Sequence, residues 1–535
     1  MVMKKETISE AILNERIIQA KEIYKKDIIE FKQIGYKFIN GEISSSEFKA
    51  ASGRMGVYAQ RNGQKFMLRL RILSGVSDFK TMKLIQDFTR DYSLDFIHFT
   101  TRQTIQLHNL EFDDLIEIME KSLKRTLISQ GGGGNFPRNV SLSPLSGVEQ
   151  GEAFDVTPYA VLVNKYFLSQ MNTYRLPRKF KAAFSNNERD SANASIADIG
   201  FVAVNKNGQK YFQVYIGGSL GPGGDISVPY DDLIDPKDIF YHIEAALHLF
   251  QAEGDYHNKG KARMRFIVKR MGRENFLQCY KEHLEYVKKT RKLDYELSNE
   301  YSVTIPDVGR KGSGNYPDVI SQKQKNLYSV VLHPQGGILS SKDLDSLLCF
   351  LDKIPDAQIR LSMEESMVIR NLTSVQAEEL LVLTKEIRNS TKLSRSVSCI
   401  GTPICQIGIQ SSQELLENIL NHFRKMDFAE DILPAIHISG CTNSCARHQM
   451  AQIGFQGKKK RVDSIVTDVY SLYTGGNITP ANPIMAKSRG DLKSDDIPGF
   501  LYDLAVLLRN RSLEFDEFIK MYEAEFENFL GKYLV

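Results

Sequence analysis

The sequence contains no tryptophan, only six cysteines among 535 residues, and almost no net charge. Its 69 lysine and arginine residues against 65 aspartate and glutamate residues leave a charge of +4, which gives no electrostatic reason to expect a nucleic-acid partner. No segment approaches the roughly 18 apolar residues of a membrane span, and the N-terminal residues lack the apolar core of a signal peptide. We therefore expect a soluble, cytoplasmic protein that binds neither nucleic acid nor membrane.

The overall composition is that of a globular protein. Hydrophobic residues make up 42% and charged residues 25% of the chain, which argues against disorder. The 23 tyrosines and 29 phenylalanines supply the bulk of a core despite the missing tryptophan. The length exceeds one ordinary core and predicts about three to four domains.

The six cysteines divide into two groups. Cys279 and Cys349 lie in helix-like sequence, where a cysteine usually acts as a small buried hydrophobe, and we assign them no function. In a reducing compartment, paired cysteines are more often metal ligands than disulfides. The other four cysteines form two such pairs, Cys399-x5-Cys405 and Cys441-x3-Cys445.

The spacing of these pairs favours an iron–sulfur cluster over zinc. Structural zinc sites usually have about two to four residues between paired cysteines, and the spacing between Cys399 and Cys405 is wider. A cluster is a larger body that accepts wider spacing, and small residues around both pairs let backbone N–H groups approach the sulfurs. A non-enzymatic zinc protein with a basic anion-binding face is the remote alternative.

The order of predicted elements occurs twice in the chain. The series strand, turn, helix, strand, strand is predicted over residues 65–108 and again over 327–370. Each series is followed by a loop rich in glycine or cysteine, at 131–134 and at 399–405, and then by a later strand that ends in paired glycines. Matching elements in the same order predict a pseudo-twofold α+β protein.

The first copy carries basic residues within apolar, strand-like sequence. A single surface cation usually contributes little, but an unpaired charge is costly to bury. An anionic ligand, or a cofactor with many carboxylates, would offset that cost. The residues are Arg69, Arg71, Arg102, Arg138, Arg178, Lys179 and Lys181.

Four motifs together resemble the sirohaem-containing sulfite and nitrite reductases. They are TTRQTIQLH at 100–108, LPRKFK at 176–181, the Cys399-x5-Cys405 pair and SGCTNSC at 439–445. Two departures are the four glycines at 131–134 and Thr442 in place of the usual proline; neither removes a ligand or a cation. The resemblance implies an α+β fold with pseudo-twofold duplication: two ferredoxin-like halves plus two larger α/β cofactor-binding lobes.

The resemblance also implies an order of domains. Residues 1–48 would form an N-terminal helical extension, 49–127 and 320–390 the two ferredoxin-like halves, 128–300 a sirohaem- and substrate-binding lobe, and 391–535 an iron–sulfur and sirohaem-binding lobe.

Site residues follow from the same resemblance, because sirohaem has eight carboxylates and its iron shares a thiolate with a 4Fe-4S cluster in this family. The cluster ligands would be Cys399, Cys405, Cys441 and Cys445, with Cys445 as the shared ligand. Sirohaem contacts would come from Arg102, Thr104, Gln106, Arg178, Asn443 and Cys445. The substrate oxyanion would be bound and protonated by Arg69, Arg138, Lys179 and Lys181. Lysine is the better proton donor, since arginine stays protonated.

Sulfite is favoured over nitrite as the substrate. Nitrite-reducing members usually have asparagine at the positions of Thr104 and Lys181. A doubly charged, pyramidal oxyanion gains more from an additional cation than a singly charged, flat one does. We expect six-electron reduction of sulfite to sulfide, with ferredoxin-dependent reduction of nitrite to ammonia as the alternative.

The electron donor is expected to be a separate ferredoxin or flavoprotein subunit, because we find no flavin or nicotinamide motif. The basic run 458–461 is either a docking site for an acidic donor or a solvated loop. We interpret the basic segment 258–265 as a helix face. His437 and His448 are expected to be hydrogen-bonded structural residues rather than iron ligands.

Overall fold

The chain forms two compact units. The computed structural model describes residues 4–61, 63–125, 127–297, 316, 318–388, 391–479 and 483–535. The first unit comprises Met1–Ser219, Asp225–Val331 and Ser340–Thr384, and the second comprises Leu220–Gly224, Leu332–Leu339 and Lys385–Val535. The predicted boundaries at residues 300 and 390 lie outside the described residues. Within the described part of the chain, no helix has the length and apolar character needed to cross a membrane.

The first elements are β1 (Lys4–Ile8), α1 (Glu10–Ile39) and α2 (Ser45–Met55). Helix α2 begins with a capping box formed by Ser44 and Glu47, which satisfies two of the free N–H groups of its first turn. Helix α1 packs closely on the following domain, since a Cβ on Gly35 would lie 1.8 Å from the Phe112 ring. The sequence did not predict β1, which pairs in parallel with residues 291–295.

The first predicted series forms as expected. It consists of β2 (Val57–Ala59), β3 (Phe66–Arg71), β4 (Val76–Ser77), α3 (Phe79–Asp91), β5 (Phe96–Phe99), β6 (Thr104–Leu110) and α4 (Phe112–Ser122). Strands β2, β3, β6 and β5 lie side by side in that order. Helix α3 buries Met82, Ile85 and Phe88, the face predicted from the 3.6-residue period.

The first lobe follows in the chain. It consists of β7 (Ser141–Leu142), α5 (Thr157–Ser169), β8 (Ala182–Ser185), β9 (Ile199–Lys206), β10 (Gln209–Ile216), β11 (Val228–Pro229), α6 (Ile239–Glu253), α7 (Met264–Met271), α8 (Arg273–Thr290) and β12 (Arg291–Tyr295). Strands β7, β8 and β9 are parallel neighbours, and β10 and β11 extend the sheet antiparallel.

The second series repeats the first. It consists of β13 (Val319–Ser321), β14 (Tyr328–Leu332), β15 (Ile338–Ser340), α9 (Ser341–Leu351), β16 (Gln358–Leu361), β17 (Met367–Leu372) and α10 (Ser374–Leu383). The order β13, β14, β17, β16 matches that of the first series, and β4 joins this sheet beside β16. The left-handed residues match as well: Gln103 and Asn109 in the first series correspond to Glu365 and Asn371 in the second.

The second lobe repeats the sheet of the first lobe. It consists of β18 (Val397–Ser398), α11 (Ser412–Lys425), β19 (Ile436–Ser439), β20 (Ile453–Val462), β21 (Ile465–Thr474), β22 (Lys487–Lys493), α12 (Ile497–Arg511), α13 (Phe515–Met521) and α14 (Glu523–Leu530). Strands β18, β19 and β20 are parallel, and β21 and β22 are antiparallel. The predicted duplicated α+β fold is therefore confirmed.

The two lobes also share details of backbone conformation and packing. A residue with positive φ, Asn193 (60°) or Arg447 (61°), begins a short 3-10 helix in each lobe. The third parallel strand then passes so close that a Cβ on Gly200 or Gly454 would lie 2.1 Å from the carbonyl oxygen of Ala194 or His448.

We predict that Gly200→Ala and Gly454→Ala each destabilise the protein. A methyl group 2.1 Å from a carbonyl oxygen must displace the backbone, and overpacking of this kind costs about 1–3 kcal/mol. Thermal unfolding should report a lower Tm for both variants. Gly499→Ala, where a Cβ meets nothing within 4 Å, is the matched control, and equal Tm values for all three variants would contradict the prediction.

Candidate functional site

Register between β3 and β6 places four polar side chains on one face of the first series. Arg69 lies opposite Gln106, and Arg71 lies opposite Thr104; directly opposed residues of antiparallel strands project to the same side. Three of these were predicted site residues, whereas Arg71 was recognised only as a basic residue on the same strand face. All but Arg69 are at most 5% exposed.

The glycine loop 131–134 binds two guanidinium groups through its main-chain carbonyls. Arg138 donates to the carbonyl oxygens of Gly131 (2.7 Å), Gly134 (2.8 Å) and Gly133, and Arg69 donates to that of Gly132 at 2.8 Å. Every carbonyl of the loop is therefore directed at an arginine.

Glycine is required in this loop for steric reasons. Gly131 and Gly134 have φ values of +72° and +65°, a region that L-residues with side chains rarely adopt. A Cβ on Gly133 would lie 2.2 Å from the Tyr58 hydroxyl oxygen and 2.4 Å from the Gly53 carbonyl oxygen. The unusual glycine content noted in the sequence is thus explained by the backbone angles and the close packing of the loop.

Arg71 is held in the interior by neutral acceptors. Its guanidinium donates to Asn164 Oδ1 at 3.0 Å and to the Pro137 carbonyl at 3.2 Å. Burial, together with the positive charges of Arg138 and Arg102, lowers the pKa of Arg71 to about 9. Neutral acceptors bind both Nη atoms of this cation without cancelling its charge, while its buried Nε has no hydrogen-bond partner in the described part of the chain.

Lys181 lies beside a buried ion pair. Arg263 Nη2 is 2.9 Å from Asp198 Oδ2, and the Lys181 backbone N–H donates to the same oxygen at 2.8 Å. Burial, Arg102, Lys179 and Arg263 lower the pKa of Lys181 well below its ordinary value, against the opposing effect of Asp198.

Two residues of the segment 258–265, Arg263 and Arg265, belong to this site, so the interpretation of the segment as a helix face is wrong. Arg263 precedes α7 and Arg265 lies in its first turn, yet both are at most 5% exposed. Arg265 donates to Ser219 Oγ at 2.7 Å, and burial and Arg263 lower its pKa to about 10. The basic pattern was visible in the sequence, but Asp198, the partner that draws Arg263 inward, is 65 residues away.

These basic residues form what we call the cation cluster. Burial and mutual repulsion depress the pKa of Arg71, Arg138, Arg178, Lys181 and Arg265, so positive potential dominates at each of them. Such a cluster favours a ligand with several negative charges. Its members are Arg69, Arg71, Arg102, Arg138, Arg178, Lys179, Lys181, Arg263 and Arg265.

The four predicted metal ligands converge in the second unit, in what we call the thiol cluster. Strands β18 and β19 are parallel neighbours, so their carboxyl ends lie at the same edge of the sheet. Cys399 directly follows β18 and its N–H donates to the Ile438 carbonyl at 3.1 Å. The loop after β19 carries Cys441 and Cys445. The 35-residue gap in sequence is closed by the crossover through α11.

Main-chain and side-chain N–H groups are directed at the sulfur atoms. The Gly440 N–H donates to Cys399 Sγ at 3.2 Å, and Asn443 Nδ2 donates to Cys441 Sγ at 3.4 Å. Such bonds stabilise thiolates and are one means of tuning an iron–sulfur cluster. Asn443, predicted as a sirohaem contact, therefore contacts a predicted metal ligand.

The thiols also interact electrostatically. Burial and the neighbouring Cys445 raise the pKa of Cys399 to about 12, and burial, Cys445 and Cys405 raise the pKa of Cys441 against the lowering by Asn443. Mutual repulsion of this kind is relieved when a metal coordinates the sulfurs. Among the described residues, no three histidine, cysteine or carboxylate side chains are grouped to chelate a single metal ion.

The first lobe has serines where the second lobe has two of these thiols. Ser143 directly follows β7, as Cys399 follows β18, and Ser191 precedes Asn193 by two residues, as Cys445 precedes Arg447. Ser191 Oγ and Ser143 Oγ are 2.7 Å apart. The glycine loop precedes β7, so its equivalence to the loop 399–405, assumed in the sequence comparison, is wrong.

Of the two histidines expected to be hydrogen-bonded, His437 is, whereas neither ring nitrogen of the buried His448 has a hydrogen-bond partner among the residues that the structure describes. His437 Nδ1 donates to the Ala446 carbonyl at 2.6 Å, and burial followed by His437 lowers the pKa of His448 to about 3. The run 458–461 lies on β20 rather than in a loop. Ion pairs link Lys458 and Lys460 to Asp491 at 2.7 and 3.1 Å. These pairs reduce the positive charge that the run could offer to an acidic electron donor.

Two family models match this chain. The nitrite and sulphite reductase 4Fe-4S domain matches residues 133–288, and the nitrite/sulfite reductase ferredoxin-like half domain matches residues 58–124. Together the two ranges contain every member of the cation cluster, and both end before the thiol cluster.

Several curated proteins are similar over most of their length. The ferredoxin–nitrite reductase of Synechococcus elongatus is 27% identical over 455 residues, which cover 83% of this chain and 86% of the relative. The assimilatory ferredoxin-dependent nitrite reductase of Haloferax mediterranei is 25% identical over 503 residues (89% and 85%). Sulfite reductase [ferredoxin] 1 of Mycolicibacterium paratuberculosis is 25% identical over 471 residues (82% and 81%).

One solved structure shares the fold. The NirA protein of Mycobacterium tuberculosis superposes with a TM-score of 0.75 at 21% sequence identity, covering 91% of this chain and 92% of that protein.

We predict that Asp198→Asn destabilises the protein and makes it responsive to anions. Breaking a buried ion pair costs about 3–5 kcal/mol, and the variant cluster carries more uncompensated positive charge. Tm should fall, and sulfate should raise the Tm of the variant more than that of the unmodified protein, because an anion that binds only the folded state stabilises it. The exposed Asp232→Asn is the control; an identical sulfate response in all three proteins would contradict the prediction.

Proposed function

Because this chain belongs to the nitrite and sulfite reductase family, we propose that it catalyses the six-electron reduction of sulfite to sulfide. The cofactors of the family are sirohaem and a 4Fe-4S cluster. The observation that carries the proposal is that one chain contains both buried guanidinium groups held by neutral acceptors and four thiols on the loops after two neighbouring strands, with N–H donors at two of the sulfurs.

The residues present fit both cofactors. Eight carboxylates need cationic partners, and the cation cluster supplies guanidinium groups that neutral acceptors hold in place. The thiol cluster supplies four sulfurs with N–H donors at two of them. When bound, the coupled cofactors supply single electrons at the iron that binds the substrate.

Cys445 is proposed as the thiolate shared by the two cofactors. Of the four thiols, Cys441 is buried, Cys399 and Cys405 are half-buried, and Cys445 is exposed. The sulfur that protrudes is the one accessible to a second metal. This agrees with the role that the sequence motif implies for the last cysteine.

Arg69, Arg138, Lys179 and Lys181 are proposed to bind the oxyanion and to supply protons. Each electron added to sulfite increases the negative charge of the bound species, and nearby cations stabilise that charge. Lys181 is the proposed proton donor. Its pKa is lowered toward neutral pH, and a group whose pKa lies near the working pH transfers protons most effectively. The arginines are proposed to keep their charge and hold the anion.

The preference for sulfite rests on Lys181 and on the number of cations around it. A dianion gains more than a monoanion from each additional positive charge, and Lys181 already experiences three neighbouring cations. Nitrite is the second candidate, because several relatives similar to this chain are named nitrite reductases. The names of the relatives also support ferredoxin as the electron donor; a flavoprotein subunit is the alternative.

We predict that Cys445→Ser changes the iron content and the haem absorption spectrum together. Loss of a shared ligand should lower iron content and change the visible haem absorption in one step, with turnover reduced more than about tenfold. Metal analysis and absorption spectra of anaerobically purified protein provide the measurement. The exposed Cys349→Ser is the control. A normal haem spectrum in Cys445→Ser would contradict the shared ligand, and stoichiometric zinc without iron in the unmodified protein would contradict the function.

We predict that Lys181→Asn lowers kcat/KM for sulfite more than for nitrite. Removing one cation costs a dianion more binding energy than a monoanion, and about 1.4 kcal/mol of difference corresponds to tenfold. Turnover of both anions with a reduced artificial donor provides the ratio. Lys206→Asn, at the exposed end of β9, is the control. Equal losses for the two anions would remove the argument for sulfite.

A further inference from the structure

Two buried histidines contact the Gln106 side chain, and Gln106 in turn contacts Arg69. His98 lies on β5 and is paired with Gln106 of β6 in the sheet register, and His108 follows Gln106 by two residues on the same strand face. All three side chains are at most 5% exposed. None of the roles derived above uses either histidine.

The chemistry of arginine fixes the orientation of the Gln106 amide. A guanidinium only donates hydrogen bonds, so the Gln106 atom that faces Arg69 must be the oxygen. In this orientation the oxygen accepts from Arg69 Nε at 3.1 Å and Nη2 at 2.6 Å. The amide nitrogen then donates to His98 Nδ1 at 2.9 Å and to His108 Nε2 at 3.2 Å.

Both imidazoles must therefore present a lone pair to the amide nitrogen. His98 accepts at Nδ1 and His108 at Nε2, so each is neutral and has one defined tautomer. Burial, His98 and Arg69 all lower the pKa of His108, in agreement with a neutral ring. If either histidine became a donor at that nitrogen, the amide would lose the contacts that keep its oxygen on Arg69.

We propose that His98 and His108 are positioning residues for the anion-binding guanidinium of Arg69. They fix the Gln106 amide, which holds Arg69 at two of its nitrogens, while the Gly132 carbonyl holds a third at 2.8 Å. The guanidinium thereby has one orientation before the anion arrives. This inference rests on the proposed function, in which Arg69 binds the substrate oxyanion.

The acceptor positions allow a test with matched substitutions. Asparagine places an oxygen close to the position of imidazole Nδ1, and glutamine places one close to that of Nε2. His98→Asn and His108→Gln should therefore retain the acceptor, whereas His98→Leu and His108→Leu remove it. We expect the dissociation constant of sulfite, measured by absorption titration of the holoenzyme, to rise about tenfold in the leucine variants. It should change less than about twofold in the amide variants.

A double-mutant cycle separates positioning from a general structural effect. If His108 acts through Arg69, His108→Leu should add less than about twofold in an Arg69→Ala background, because the effects are then non-additive. Equal losses in both backgrounds, or a glutamine variant as weak as the leucine variant, would overturn the inference. The exposed His257→Leu of the same unit is the control.

A structural measurement keeps the inference separate from the proposed function. The crystal structure of His108→Leu should show the Gln106 amide rotated and Arg69 displaced. Arg69 in its original position would overturn the inference regardless of activity. If unmodified holoenzyme neither binds nor reduces sulfite or nitrite, the proposed function fails, while the structure of the variant still decides the role of the histidines.

Discussion

Repulsion between like charges is the constraint on which the first unit depends. Burial and neighbouring cations lower the pKa of Arg71, Arg138 and Lys181, and carbonyl and amide oxygens that cannot cancel the charge hold the two arginines. Asp198 forms an ion pair with Arg263 and moderates the potential locally. Binding of an anionic ligand is thus coupled to the stability of the fold itself, since it relieves a repulsion already built into the interior.

In the second unit, a sheet of the same topology carries thiols, whose deprotonated forms are negative, rather than cations. There, burial and neighbouring thiols raise the pKa of Cys399 and Cys441, and a metal bound by the proposed ligands would relieve the repulsion between them. In the first lobe, Ser143 and Ser191 occupy the corresponding positions and simply bond to each other. One sheet topology therefore carries thiols at these positions in one copy and a hydrogen-bonded pair of serines in the other.

Much of this organisation could be predicted from local sequence. The alternation of leucine and arginine in β3 places Arg69 and Arg71 on one face, and the spacing in α3 gives its buried face. The register of β3 with β6, which brings Arg69 opposite Gln106, exists only in the folded sheet. The role of Arg263 could not be predicted, because its partner Asp198 is distant in the chain. The run 458–461 resembled a loop because it consists of consecutive charged residues. Its lysines form ion pairs with Asp468 and Asp491 on other strands, and these pairs exist only in the folded sheet.

The carbonyl ring of the loop 131–134 has an evolutionary consequence. Its ligating atoms belong to the main chain, so exchanging a side chain within the loop does not change the oxygen atoms that hold Arg138 and one nitrogen of Arg69. A side chain at Gly133 would meet Tyr58, one at Gly132 would meet the Ser129 carbonyl oxygen, and Gly131 and Gly134 have positive φ values. Variation in how these two arginines are held must therefore come from changes in loop length, from Gln106 or from the arginines themselves.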